Sequence, residues 1–164
     1  MLKHRDVLLS EFDRETGATR RLLSRLPGVH LAWRPHPRSR SLAELATHMA
    51  DLPGWVTVIA TSAGFDLPAD DPPGPADASV DAVLARYDGH VARARGALAA
   101  LSDAELDLRW TLSRAGHPLL VLPRGIAIRV QLLGHLIHHR GQLTVYLRLL
   151  DVPLPPIYGP TADR

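Results

Sequence analysis

The sequence predicts an all-α protein, a four-helix bundle, and three observations predict it. Long segments repeat apolar residues at intervals of three and four, the spacing of one helix face. Two Ser-x-x-Glu boxes, Ser41 to Glu44 and Ser102 to Glu105, mark helix starts. A stretch rich in proline and aspartate over residues 64–78 reads as a long crossover, not a tight turn. With 164 residues the chain is long enough for a sizeable core, and a single domain over 1–164 is expected.

The first helix is expected from about Leu2 to Leu26, with Leu8, Phe12, Thr19, Leu23 and Leu26 on its inner face. Pro27-Gly28 ends it. Residues 29–40, with Pro35 and Pro37, read as an irregular connection with an extended piece at His30-Leu31-Ala32-Trp33. The second helix starts at the Ser41 box and runs to about Thr61, kinked at Pro53 because the ring removes a backbone bond. After the crossover, Val80, Val83, Leu84, Tyr87, Val91, Ala94, Leu98 and Leu101 mark a regular third helix. The Ser102 box caps a short turn. Arg109–Leu112 and Leu119–Leu122 flank Gly116-His117-Pro118 and pair as a small hairpin. A fourth helix from about Pro123 to Leu150 stops at Asp151-Val152-Pro153, and an extended tail packs back through Ile157 and Tyr158. The long crossover lets the second and third helices run in the same direction.

Composition narrows the chemistry. The formal charge is only +2, and lysine and arginine form no run, so nucleic acid is not an expected partner. No apolar run spans a bilayer, so no membrane partner is expected. The start, Met1-Leu2-Lys3-His4-Arg5-Asp6, is too polar for a signal peptide, and a cytoplasmic location is the expectation. The chain has no cysteine, which excludes disulfides, zinc–thiolate sites and a protein thiol nucleophile. Histidine and carboxylate are then the available metal ligands.

The fourth helix carries His135, His138 and His139. Positions 135 and 139 are four apart, so both imidazoles share one face. At 100° per residue Ile128, Gln131, Leu132, Gln142, Tyr146 and Leu149 join them, whereas His138 stands aside. Arg129, Arg140 and Arg148 fall on another face with Leu133, Ile137 and Leu147. That face is too apolar for solvent alone and is expected to pack against a second subunit or the tail. Gly141 is expected where another helix or the tail comes close. On the second helix His48 shares a stripe with Leu45, Leu52, Trp55 and Ile59, which makes it the natural third ligand. Three imidazoles leave a divalent metal open to water or substrate, and they suit zinc, nickel, copper or iron. Glu44 has a complete explanation in the capping box, and is also the candidate proton-transfer base. Gln142, Tyr146 and Gln131 are candidates to line the substrate side.

His135-x-x-x-His139-Arg140-Gly141-Gln142, then Tyr146-Leu147-Arg148 and Pro153-x-Pro155-Pro156-x-Tyr158-Gly159-Pro160, resemble the DinB family of damage-inducible proteins. Leu45-Ala46-x-His48 followed by Trp55 resembles the first metal-binding stretch of that family. The resemblance implies an up-down-down-up bundle, a homodimer, and a divalent metal on His48, His135 and His139. It also implies a small-molecule substrate and a low-molecular-weight thiol cosubstrate such as bacillithiol, mycothiol or glutathione. The leading expectation is thiol S-transfer, followed by metal-assisted hydrolysis. The alternative is a non-catalytic, stress-associated protein whose metal joins the second and fourth helices.

Overall fold

Phe12, Leu22, Leu45, Ile59, Leu98 and Leu143 are fully buried and belong to one core. Each contributes about 1.5–3 kcal/mol by leaving water. In the computed structural model, residues 3–70, 72 and 74–163 are described. Leu2, the expected start of the first helix, lies outside them.

Helices supply most of this core. They are α1 (His4–Leu23), α2 (Leu42–Asp51), α3 (Gly54–Thr61), α4 (Val80–Ala100), the short α5 (Asp103–Asp107), α6 (Arg124–Ile128) and α7 (His135–Leu149). α4 packs against α1, α2 and α3, and α7 packs against α1 and α2. Both capping boxes form: Glu44 N–H donates to Ser41 Oγ and Glu105 N–H to Ser102 Oγ, each at 3.2 Å. None of the helices among the described residues is long and apolar enough to cross a membrane.

The expectation of an all-α four-helix bundle is corrected by a three-stranded mixed sheet, in the order β1-β2-β3. β1 (Gly64–Leu67) lies within the crossover and runs parallel to β2 (Arg109–Arg114). β2 pairs antiparallel with β3 (His117–Pro123), the hairpin read from the sequence. The hairpin loop is Ala115-Gly116, one residue earlier than expected. Both have positive φ, 48° and 78°, which matches the twist of the strands in a two-residue loop. β1 is only four residues long, and its partner strand lies far along the chain. A parallel pair needs such a crossover, so no local pattern announces it. Gly64 is required there: a Cβ would stand 2.6 Å from the Thr111 carbonyl oxygen.

Two helices are broken where continuity was expected. The second stops at Asp51 and restarts at Gly54, because Pro53 has no N–H to continue the ladder. The fourth is interrupted by a π-helical turn over Arg129–Gly134, directly before His135. The wider turn shifts the phase of everything after it, and Leu149, expected on the inner face, is exposed. Two smaller expectations also change. His30 lies in a 3-10 turn (Gly28–His30) instead of an extended piece, and a Cβ on Gly141 would meet nothing within 4 Å.

The tail packs back as expected, with Ile157 against the core. Tyr158 reaches a buried ion pair: Arg140 Nη2 stands 2.6 Å from Glu15 Oε2, with both side chains almost wholly removed from water. The Tyr158 hydroxyl donates to the same carboxylate oxygen at 2.6 Å and also accepts from Arg140. Arg140 therefore ties α7 to α1 and to the tail.

Candidate metal centre

His48 comes from the last turn of α2, and His135 and His139 from the first two turns of α7. Their ligand nitrogens all lie within 4.8 Å of one another. His48 Nε2 and His135 Nε2 stand 3.3 Å apart. Two nitrogens bound to a tetrahedral ion at about 2.0–2.1 Å would be separated by about 3.3 Å, so this pair has the spacing of a chelate. His139 is turned by its neighbour: its Nδ1 lies 2.7 Å from Gln142 Oε1. The amide oxygen accepts a proton from Nδ1, which leaves Nε2 with its lone pair free. The donor set and its spacing fit a divalent metal.

Electrostatics keep the three rings neutral. Burial, and then the Arg40 guanidinium, push His48 down to about 4. Burial also lowers His135 and His139, with Arg40 acting in the same direction on both. A ring that is neutral at pH 7 presents a lone pair without first losing a proton.

His48 and His135 open onto a cleft of about 590 Å³, in the size range of a small-molecule site. His139 is buried behind them. One wall carries Arg40, Glu44, Thr47 and Asp51, and another Trp55, Leu67 and Leu112. Glu44 keeps its capping role, with Oε2 accepting from Ser41 N–H at 2.6 Å and Oε1 3.5 Å from Arg34. The Ser41 bond, helped by Arg34, holds its carboxyl below the usual range.

Gln131 lines the cleft beside His135. Gln142 lies instead behind His139, as its hydrogen-bond acceptor. Tyr146 donates its hydroxyl to the Arg40 carbonyl at 3.2 Å, and its ring meets Trp33 edge-on. His138 is exposed, its ring edge-on to His139. The residue that sequence reasoning passed over is Arg40. It lies among scattered arginines in an irregular segment, and only its position one residue before the Ser41 cap hinted at a fixed place near the site.

A family model described as the DinB superfamily matches residues 11–143. YrdA, an uncharacterized protein of Bacillus subtilis strain 168, is 28% identical over 166 residues, covering 100% of this chain and 93% of its own length. The crystal structure of a DinB-like protein from Bacillus cereus ATCC 10987 superposes with a TM-score of 0.72 at 22% identity, covering 92% of this chain and 95% of the other. The crystal structure of the DinB-like protein YjoA of Bacillus subtilis gives a TM-score of 0.70 at 18% identity, covering 94% and 99%. With the family model covering most of the sequence, the chain belongs to the DinB superfamily.

Proposed function

We propose that the protein is a cytoplasmic, metal-dependent enzyme acting on a small molecule, with His48, His135 and His139 as the metal ligands. The observation that carries this reading is the convergence of three neutral imidazoles on the wall of an open cleft. A bound zinc, nickel or iron ion would act as a Lewis acid, lowering the pKa of a thiol or water. The side chains would do the rest. Gln142 holds the His139 ring in the ligating tautomer. Gln131 stands on the substrate side of His135. Glu44 offers Oε1 as a proton acceptor while Oε2 keeps α2 capped. Tyr146 steadies the segment that carries Arg40.

Thiol S-transfer is the leading reaction, with a low-molecular-weight thiol as cosubstrate, and hydrolysis is second. The test is thiol consumption by zinc-loaded protein with a bimane electrophile and bacillithiol, mycothiol or glutathione. The expected result is consumption well above buffer that is lost on chelation and in His48→Ala. Metal that raises the melting temperature without turnover of any thiol or ester would assign the site a structural role, joining α2 to α7. A homodimer is the proposed assembly, supported by the exposed apolar side chains Val130, Ile137, Val145 and Leu149. Light scattering on eluted protein tests it, and a monomer mass would overturn it.

A further inference from the structure

Arg40 stands in the same cleft wall as His48 and His135. Its backbone is well fixed. Tyr146 donates to its carbonyl, Ser41 beside it caps α2, and Leu42 N–H donates to the Trp33 carbonyl at 2.8 Å. Its side chain is only half-exposed, yet among the described residues the guanidinium has no carboxylate partner. The wall's carboxylates are already engaged. Glu44 holds Ser41 N–H and faces Arg34, and Asp51 faces Arg86 at 3.1 Å and His90 at 3.6 Å. A half-buried guanidinium carries five donors in a rigid fork that matches a carboxylate. Arg40 is also the one arginine in the cleft lining, and its charge reaches all three imidazoles.

Across the cleft, Trp55 is braced edge-on by Phe65 and Trp110, with ring centroids at 5.4 and 6.4 Å. With Leu67 and Leu112 it forms a firm apolar wall. The geometry points to Arg40 as the anchor for the carboxylate of a small amphipathic substrate whose apolar body lies against Trp55, Leu67 and Leu112. A planar monoanion suits the site better than a phosphate, because Glu44 and Asp51 share the wall and repel a second negative charge. The assignment rests on the proposed function only in placing the reacting end of that substrate at the histidines.

The test compares 3-phenylpropionate with the uncharged 3-phenylpropionamide by calorimetry, on both chelator-stripped and zinc-loaded protein. The carboxylate is expected to bind at least about 10-fold more tightly in both forms, the scale of a hydrogen bond to a charged group. Arg40→Gln, checked for intact fold by circular dichroism, should bring the ratio close to one, and Arg40→Lys should restore part of it. Equal affinities in the wild type would overturn the assignment, as would an unchanged ratio in Arg40→Gln. A carboxylate preference seen only with zinc would also overturn it, since the metal would then be the anion's partner. If the histidines bind no zinc, the proposed function fails, while the stripped-protein comparison still decides the role of Arg40.

Discussion

His48 Nε2 and His135 Nε2 face each other at 3.3 Å, although 87 positions separate them in the chain. Two neutral rings at that distance share either one proton or one ion. Removing His48 should therefore remove the metal. Elemental analysis of His48→Ala is expected to show less than about a tenth of the wild-type content, since even residues behind the ligands affect affinity by about 10–100-fold. Undiminished metal in the variant would sink the three-histidine site.

Gln142 sets the tautomer of His139 through its Oε1, 2.7 Å from Nδ1. The glutamine is exposed, so replacing it should leave the fold intact. Gln142→Leu is expected to weaken zinc binding by about 10–100-fold in a chelator competition. Gln142→Glu, which keeps the acceptor, should retain most of the affinity. Equal affinity in the leucine variant would show that the tautomer is set some other way.

Arg140 and Glu15 form a buried pair at 2.6 Å. Arg140→Met leaves the Glu15 carboxylate without its cation, at a cost of about 3–5 kcal/mol. Urea unfolding measures this. A loss below about 1 kcal/mol would mean that solvent reaches Glu15 easily, as it does an exposed ion pair.

The same pair gives a pH dependence. Burial raises the pKa of Glu15, but the Tyr158 hydroxyl and Arg140 outweigh it, and the net position is below the ordinary 4.5. The folded protein thus binds this proton less readily than the unfolded chain. The stabilisation is complete above about 4.5 and is lost as the pH falls through the lower, folded value. The stability difference between wild type and Glu15→Gln should shrink from pH 6 to pH 3 in urea titrations. Carboxylates common to both proteins cancel in that difference, and a gap independent of pH would refute the linkage.

Gly64→Ala tests the parallel strand pair. The new Cβ would meet the Thr111 carbonyl oxygen at 2.6 Å, and backbone yields little there. A loss of about 1–3 kcal/mol is expected from such overpacking. Gly141→Ala is the control, because nothing lies near that position and alanine favours a helix. Thermal unfolding should show the first variant destabilised and the second not.

Much of the local structure was legible in the residues themselves. The Ser41 and Ser102 boxes cap helices because the hydroxyl and the glutamate both lie within four residues of the groups they satisfy. The inward stripe of α2 follows from the 3.6-residue repeat, which buries Leu45 and leaves His48 facing α7. The break at Pro53 was legible as a kink, but a kink and a full restart differ only in how the following turn packs. β1 was hidden because four residues carry little pattern and its partner strand is remote. The π-helical turn was hidden because Arg129–Gly134 contains no proline and continues the helical alternation of its neighbours. Arg140, placed by phasing on an outer face, is instead buried, because α1 and the tail cover that face with Glu15 and Tyr158.

By itself the sequence determined what depends on near neighbours: the helical faces, the two caps, the hairpin, and one imidazole pair a single turn apart. Only the tertiary structure decided that β1 joins β2, that Gln142 turns His139, and that His48 Nε2 meets His135 Nε2 beside an unpartnered Arg40. The physical reason is range. Helix period and capping act over three or four residues, whereas strand pairing, burial of an ion pair and the meeting of two imidazoles are set by whole helices packing on one core.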